Sequence, residues 1–409
     1  MGAGEFLTGH FKSFYSKHTA SVPAVGSREF GIGEFGKKIS RRHISFASDS
    51  ELNSFLHERS PLFISYSTAY YERPASSPMS SKGFLGADIV YEFDADDVKT
   101  ECKQEHDSWS CPKCGAEGKG AIDACPTCGA HVKKDEWYCP SCLEETKKQT
   151  FRLINFLEND FSLGGEISVN FSGNAGYHIH LRGDAVRSLN KEARIELLDY
   201  LTAKDMDFSK LGFAESGKSG KMFLCPFEAE TSGWGKRLLS SLIKLLEEGD
   251  VEKIAAFGAI TNKKAKDLIE NKKLVLKTIR EKGILFSIAG RKNTQFWESV
   301  LSHLVNESAL DVDRQTSADI NKIIRVPETL HGGTGLLAKN VSIDALKEFK
   351  PLRDSVVFSD SRVKVFINKS PKFYLKGNEF GPFENEEVEL PLYAAIYLVA
   401  RRSADLAGV

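Results

Sequence analysis

Three C-x-x-C pairs in the segment 102–142 constrain the fold of this chain more than any other feature of its sequence. Seven of the eight cysteines lie in that segment, and six of them form the pairs. The N-terminal residues MGAGEFLTGHFKSFYSKH lack the apolar core of a secretory signal peptide, so we expect a reducing compartment. Clustered cysteines in such a chain indicate bound metal rather than disulfides.

The central two pairs have the spacing of a zinc ribbon. In CPKCG and CPTCG each pair is followed by a glycine, which permits the tight turn under a metal, and four thiolates can close a tetrahedral site. We therefore predict a structural Zn²⁺ held by Cys111, Cys114, Cys125 and Cys128. A second set brackets the ribbon and could hold a second zinc: Cys102, His106, Cys139 and Cys142. Spacing alone leaves other pairings open, as well as a role for His131 as a ligand.

Length and charge bound the possible classes of function. At 409 residues and 45.4 kDa the chain can form two or three domains or one large elaborated domain. Its formal net charge of −1 excludes a uniformly basic surface, so any contact with nucleic acid must come from local patches. The longest apolar run, PLYAAIYLVA, is too short to cross a bilayer, and we predict no membrane partner. Basic residues cluster in 263–282; we interpret them as a solvated helix face, with a nucleic-acid track as the alternative.

An acidic strand end follows the loop ERPASSPMSSKG. In GFLGADIVYEFDADD, period-2 alternation places Ile89, Tyr91, Phe93 and Ala95 on one face and most acidic residues on the other. We expect Asp94 and Asp96 to project side by side at the end of the strand, with Asp88 and Glu92 too far back to join them and Asp97 facing away. Two like charges one pleat apart repel unless a cation lies between them, and carboxylates suit Mg²⁺ or Mn²⁺. Taken alone, a solvated acidic turn is the simpler interpretation.

Polar side chains also gather on a predicted hairpin. In FSLGGEISVNFSGNAGYHIHLRG two alternating strands flank a Gly-Asn-Ala-Gly turn, and one face carries Ser172, His178, His180 and Arg182. This set beside glycines indicates anion binding, because arginine grips phosphate in a bidentate manner.

Other polar residues have weaker patterns. Arg28 lies in a probable hairpin, SREFGIGEFGKKISRRHISF, and the pattern places it on the surface. Asp313 and Asp319 precede a short apolar stretch with Arg325, and His331 opens a glycine-rich turn. Either aspartate taken alone is a helix cap or a loop residue.

In their order along the chain, these motifs resemble those of the catalytic (small) subunit of archaeal and eukaryotic DNA primases. The matching segments cover nearly the whole chain: SREFGIGEF, KGFLGADIVYEFDADD, WYCPSCLEETKKQTFRLINFLENDF, FSGNAGYHIHLRG, LDVDRQTSADINKIIRVPETLHGGTGL and FYLKGNEFGPFENEEVELPLYAAIYLVARRSADL. The resemblance implies an α+β archaeo-eukaryotic primase fold with an RRM-like catalytic sheet, an inserted zinc-binding module and a helical subdomain. It divides the chain into a catalytic core (1–101, 143–182 and 311–409), a zinc-binding module containing the inserted ribbon (102–142) and a mainly helical insertion (183–310).

The resemblance also implies roles for particular residues. The aspartates that match the catalytic ligands of Mg²⁺ or Mn²⁺ are Asp94, Asp96 and Asp313, with Asp319 competing for the third position. The residues that match nucleotide-binding positions are Arg28, Ser172, His178, His180, Arg182, Arg325 and His331. Arg28 is thereby reinterpreted as a phosphate ligand. The chain departs from the family at Gly333, where a lysine is usual, and Lys339 could supply the missing contact.

The implied activity is synthesis of short RNA or DNA primers on a single-stranded DNA template, from NTPs or dNTPs, by two-metal nucleotidyl transfer for DNA replication. The implied partner is the primase large subunit, in a heterodimer, and the implied location is the cytoplasm (nucleoid) of an archaeon or a eukaryotic nucleus. The alternatives are a primase-polymerase that chiefly extends primers with dNTPs and a non-catalytic nucleic-acid-binding module that uses the ribbon. A phosphate-binding hydrolase lacks an evident nucleophile–base pair.

Overall fold

The computed structural model describes residues 2–216, 222–285, 293–312 and 319–407 and has the mixed α+β architecture that the sequence predicts. Its helices are α1 (Ala3–Tyr15), α2 (Asp49–Arg59), α3 (Lys103–His106), α4 (Pro140–Asn159), α5 (Asp184–Arg187), α6 (Lys191–Leu201), α7 (Gly233–Glu248), α8 (Val251–Phe257), α9 (Asn262–Glu270), α10 (Lys272–Lys282), α11 (Asn293–Ser308), α12 (Ile343–Leu346), α13 (Pro351–Asp354) and α14 (Leu392–Arg401). None of the described helices is long and apolar enough to cross a membrane.

The strands are β1 (Phe30–Glu34), β2 (Lys37–Ile44), β3 (Phe63–Ser67), β4 (Ala69–Tyr71), β5 (Phe84–Ala87), β6 (Ile89–Asp94), β7 (Ser108–Ser110), β8 (Glu117–Lys119), β9 (Lys133–Asp135), β10 (Ile167–Phe171), β11 (Gly176–Leu181), β12 (Ala214–Ser216), β13 (Met222–Leu224), β14 (Ile284–Leu285), β15 (Ile323–Arg325), β16 (Asn340–Val341), β17 (Arg362–Ser370), β18 (Phe373–Leu375), β19 (Asn378–Phe380), β20 (Phe383–Pro391) and β21 (Ala404–Leu406).

The chain divides into two compact units. The first comprises Met1–Phe151, Leu163–Ile195 and Val312–Val409, and the second comprises Arg152–Ser162 and Glu196–Asp311. The predicted division into core, zinc-binding module and helical insertion stays a prediction.

A four-stranded antiparallel sheet, in the order β16-β10-β11-β6, carries the polar motifs of the first unit. Its register pairs Ser168 with His180 and Asn170 with His178, so the predicted shared face of His178 and His180 is confirmed; Ser172 and Arg182 lie just beyond the ends of the two strands. The aromatic side chains of β6 and β11 are buried on the other face, because residues in a strand alternate between faces. The acidic stretch forms two strands rather than one: β5 pairs with β4, whereas β6 pairs with β11, and the change of partner occurs at Asp88.

A second four-stranded sheet, in the order β15-β3-β1-β2, contains the predicted hairpin as β1 and β2. Arg28 precedes β1, and Arg325 ends β15, so the sheet positions both arginines. The helix that follows this hairpin is α2, and the Ser48 side chain accepts a hydrogen bond from the Glu51 backbone N–H at its start.

The last part of the first unit is a three-stranded sheet, β20-β17-β21, and the buried helix α14. The sequence predicts a helix over residues 391–406. The helix instead ends at Arg401, because Arg402 adopts a left-handed conformation, and the tail returns as β21 beside β17.

The second unit is mainly helical and contains α7 to α11 with the small sheet β12-β13-β14. Arg237 of α7 donates from its Nε to the Asp160 carboxylate at 2.8 Å. Its planar guanidinium group lies over the Phe156 ring. Exposed lysines of α9 and α10 pair with acids four residues along, as in Lys266–Glu270. These pairs agree with the solvated-face interpretation.

Gly176, at the start of β11, tests the register of the sheet. A Cβ at this position would lie 1.8 Å from the Phe93 carbonyl oxygen. This oxygen belongs to the backbone, so it cannot move without shifting the strand. We expect Gly176→Ala to lower the free energy of unfolding by about 3 kcal/mol in a urea titration. The control is Gly165→Ala, because its added Cβ meets no atom within 4 Å. Equal stability of the two variants would contradict the register.

Candidate active site

Charged and polar side chains line the exposed end of the polar face of the sheet. Glu92 of β6 stands opposite His178 of β11, with its Oε1 3.4 Å from the histidine Nε2. Lys322, just before β15, forms an ion pair with the same carboxylate. Glu92 is therefore part of this polar cluster, and the expectation that it lies too far back along the strand to join Asp94 and Asp96 at a metal stays a prediction.

Asp94 ends β6 in a largely desolvated position. Burial, together with the charges of Asp96, Glu92 and Asp97, raises the pKa of Asp94 to about 8. Such a carboxylate is stable in its ionised form only beside a cation, because burial and like charges both penalise its negative charge. Hard divalent cations such as Mg²⁺ and Mn²⁺ bind carboxylate oxygens, so the donor set fits a metal of this kind.

The strand alternation ends before the other acidic residues. The Ala95 backbone N–H donates to the Ala175 carbonyl, and residues 95–97 then form a turn in which Asp96 and Asp97 are exposed. The Asp97 charge contributes to the raised pKa of Asp94, and the expectation that Asp97 faces away stays a prediction.

The third predicted carboxylate is not described by the structure. Asp313 lies outside the described residues. The competing Asp319 is exposed, and its Oδ1 accepts a hydrogen bond from the Asn321 backbone N–H at 2.8 Å. Both assignments stay predictions.

The histidines of the site are neutral. Burial lowers the pKa of His178 to about 4 and the pKa values of His180 and His331 well below 6.5. At neutral pH these rings therefore offer one N–H donor and one nitrogen acceptor each, rather than a positive charge.

Two glycine-containing turns meet beside these rings. Ser172 Oγ accepts hydrogen bonds from the backbone N–H groups of Asn174 and Gly176, at 3.3 and 3.2 Å, and so shapes the Gly-Asn-Ala-Gly turn. Thr334, in the turn that His331 opens, donates its hydroxyl to the Gly173 carbonyl at 2.5 Å. Ser172 and His331 are thus held in neighbouring turns.

Arg325 supplies a buried positive charge with a free donor. Its Nη1 donates to the Ile64 carbonyl at 3.3 Å, and its guanidinium lies 5.0 Å from the centre of the Phe63 ring. Its buried Nε has no hydrogen-bond partner among the described residues. Burial lowers the pKa of Arg325 to about 10, which keeps it charged at neutral pH. A charged guanidinium with an unused N–H fits an anionic ligand.

Arg28 is fully buried, so the surface placement from its sequence pattern is wrong. Its Nη2 binds Asp88 Oδ2 at 2.7 Å, and its Nη1 and Nε donate to three backbone carbonyls. Asp88 also accepts the Tyr70 hydroxyl at 2.6 Å. The role of Arg28 as a direct phosphate ligand stays a prediction, and such contact would require it to leave these bonds.

Arg182 lies beside this buried pair and borders a cavity. Its Nε is 3.4 Å from Asp88 Oδ2 but has no hydrogen-bond partner among the described residues. The cavity has a volume of about 470 Å³, and Ser168, Asn170, His180 and Arg182 are among its lining residues. This volume is in the range of small-ligand pockets.

Lys339, which could replace the lysine that the family usually has at position 333, uses its side chain in another contact. Lys339 Nζ donates to the Asp354 carbonyl at 3.2 Å. Lys322 is instead the cation that contacts the acidic cluster, through Glu92. Sequence reasoning missed Lys322, since nothing in its local pattern connects it with a strand more than two hundred residues earlier.

Both predicted cysteine groups are assembled. In each, the possible ligand atoms lie within 4.8 Å of one another, and the members match the prediction: Cys111, Cys114, Cys125 and Cys128, and Cys102, His106, Cys139 and Cys142. His131 belongs to neither group. All eight cysteines are free, and both groups could hold zinc.

The ribbon group consists of two matching turns. The Gly115 N–H donates to the Cys111 carbonyl, and the Gly129 N–H donates to the Cys125 carbonyl. Both glycines have positive φ, 74° and 69°, as the predicted tight turns require. Across the turns, the Cys111 and Cys128 sulfurs are 3.5 Å apart.

The second group has an ordered histidine. His106 Nε2 is 3.3 Å from the Cys142 sulfur, and its Nδ1 is 2.8 Å from Asp107 Oδ1. A carboxylate on the far nitrogen is the usual partner of a zinc-bound histidine. Hydrogen bonds from Cys142 and His106 outweigh burial and lower the pKa of Cys139 to about 3, so the group contains a ready thiolate.

Comparisons with known proteins agree with the resemblance seen in the motifs. A family model described as DNA primase small subunit matches residues 123–343. The chain is 32% identical to the DNA primase small subunit PriS of Methanothrix thermoacetophila, with 98% of each chain covered. It is 30% identical to that of Methanosarcina barkeri, over 98% of this chain and 96% of the relative, and 27% identical to that of Halorubrum lacusprofundi, over 98% and 97%. The chain belongs to the DNA primase small subunit family, and these relatives are archaeal.

Proposed function

We propose that this chain is the catalytic subunit of a DNA primase that makes short RNA primers, or DNA primers, on single-stranded DNA. The observation that carries the proposal is the desolvated Asp94 beside Asp96 and Glu92, with the Glu92 carboxylate 3.4 Å from the neutral His178 ring. Within this proposal the sheet β16-β10-β11-β6 is the RRM-like catalytic sheet of the family.

Asp94, Asp96 and Asp313 would hold Mg²⁺ or Mn²⁺, with Glu92 beside them, and the metal would supply Lewis-acid activation of the 3′-hydroxyl and stabilise the pyrophosphate leaving group. The residues of the chain would bind and orient the triphosphate. Arg325 would offer its unused Nε–H to the triphosphate, and Arg182 borders the cavity with its charge. Ser172 and His331 shape the neighbouring turns. Fixed donors around developing negative charge lower the barrier because they need no reorganisation during the reaction.

The direct test is synthesis without a primer. We expect the purified chain, with Mg²⁺ or Mn²⁺ and a single-stranded DNA template, to produce short products from labelled ATP with unlabelled NTPs. Products only from dNTPs and only with a primer would favour the primase-polymerase. A protein inert with every template, metal and nucleotide, also in the presence of its large subunit, would favour the non-catalytic module.

We also propose a heterodimer with a primase large subunit, on the basis of the family's name as a small subunit. Co-expression with the large subunit of the same organism and co-purification at equal stoichiometry is the measurement that checks it.

A further inference from the structure

Tyr66 of β3 connects two residues of the proposed nucleotide site. The tyrosine is fully buried, and its ring stacks on the His180 imidazole with a centroid distance of 6.2 Å and an angle of 15° between the planes. Arg182 Nη2 donates to the Tyr66 oxygen at 3.0 Å, and the same oxygen lies 3.4 Å from His180 Nδ1. One phenol oxygen therefore links the arginine to the histidine.

Asn170 contacts the His180 imidazole on its Nε2 side. Its Nδ2 donates to the Phe171 carbonyl at 3.2 Å, and this contact sets the orientation of the amide because a carbonyl only accepts. The Asn170 Oδ1 then faces His180 Nε2 at 3.0 Å, so Nε2 carries the hydrogen. His180 Nδ1 is left as an acceptor, which makes the Tyr66 hydroxyl its donor.

We propose that Tyr66 and Asn170 are positioning residues of the nucleotide site. They hold His180 as the Nε2–H tautomer, and through it they fix the direction in which Arg182 presents its guanidinium to the cavity. The hydrogen bonds run in one direction, from Arg182 Nη2 to the Tyr66 oxygen, from the Tyr66 hydroxyl to His180 Nδ1, and from His180 Nε2 to Asn170 Oδ1. His180 is 1% exposed, and in this proposal it acts through this chain of hydrogen bonds.

This inference rests on the proposed function, since it assigns Arg182 to the triphosphate. Arg182 also donates from Nη1 to Ser168 Oγ, and its Nε faces Asp88 Oδ2 at 3.4 Å, so the guanidinium is held on three sides where Arg182 borders the cavity. An arginine fixed in this way loses less side-chain freedom when an anion binds.

Tyr66→Phe tests the proposal by removing one oxygen and keeping the ring. We expect the KM for NTPs to rise about tenfold while kcat changes less than about twofold, because a lost hydrogen bond to a charged group weakens binding of substrate and transition state alike. The control is Tyr177→Phe: Tyr177 is also fully buried in the first unit, but its hydroxyl has no hydrogen-bond partner among the described residues. An unchanged KM in Tyr66→Phe, or an equal rise in Tyr177→Phe, would overturn the proposal.

A second measurement does not depend on activity. Nitrogen-15 NMR of the full-length chain labelled at histidine, with the His180 signals identified by their loss in His180→Gln, reports the tautomer. We expect a protonated Nε2 and an unprotonated, hydrogen-bonded Nδ1, with the Nδ1 signal shifting in Tyr66→Phe and not in Tyr177→Phe. A protonated Nδ1 would overturn the assignment even in an active enzyme. If the wild-type chain made no primers, the proposed function would fail while the NMR result still tested the tautomer.

Discussion

Asp94→Asn should reduce primer synthesis by about a thousandfold or more, because loss of a ligand to a catalytic metal removes several kcal/mol of transition-state stabilisation. The measurement is the rate of primer synthesis on single-stranded DNA at saturating NTP and metal. The control is Asp184→Asn, since the Asp184 side chain is 98% exposed and lies in the short helix α5. Near-normal synthesis by Asp94→Asn would remove Asp94 from the mechanism.

The same variant should be more stable than the wild type in the absence of added Mg²⁺ or Mn²⁺. Asp94 has a pKa of about 8 in the folded chain, against an ordinary value of 3.8. Between these two pH values the folded state keeps a proton that the unfolded state has lost, so the stability of the wild type falls as pH rises towards 8. Because asparagine does not titrate, the variant does not lose stability in this way. The variant should therefore exceed the wild type in free energy of unfolding by more at pH 8 than at pH 5, as measured by denaturant titration at the two pH values.

Cys139→Ser should remove one zinc ion and destabilise the first unit strongly. Cys139 is a buried member of the second cysteine group, and a structural zinc contributes its binding free energy to folding. We expect a loss on the order of 4 kcal/mol in the free energy of unfolding, the range seen when a metal site is lost. Elemental analysis of protein purified with zinc should give two ions per chain for the wild type and one for the variant.

Cys225→Ser is the matched control for this experiment. Cys225 is buried like Cys139 but belongs to neither metal-binding group, so its substitution should leave the zinc content at two. Two zinc ions in Cys139→Ser, or none in the wild type, would contradict the assignment.

Local patterns in the sequence predicted much of this site. The spacing of the cysteines predicted the ribbon group, whose two turns are local, and suggested the second group while it left other pairings open. Strand alternation likewise predicted the shared face of His178 and His180, because a hairpin fixes its own register. The family resemblance added Arg325 and His331, whose own patterns carried no clear function.

What the sequence missed depends on contacts between distant segments. Arg28 looked like a surface residue because its partner Asp88 is sixty residues away, between β5 and β6. Glu92 was set aside on strand spacing, but the approach of Lys322 and His178 makes it part of the cluster. Tyr66 carries no sequence signal at all, since only the packing of two sheets brings its hydroxyl to His180.

The ribbon has a consequence for how this chain could change over evolution. Its first and last strands are neighbours, since Ser108 of β7 pairs with Asp135 of β9. The Trp137 backbone N–H also donates a hydrogen bond to the Asp107 carboxylate at 3.0 Å. The segment therefore leaves and rejoins the rest of the chain at nearly one point. Lengthening, shortening or exchanging such an excursion leaves the spacing of its two ends unchanged and adds little closure entropy. Descendants of one ancestor can thus gain or lose the ribbon while Cys102, His106, Cys139 and Cys142 keep their places.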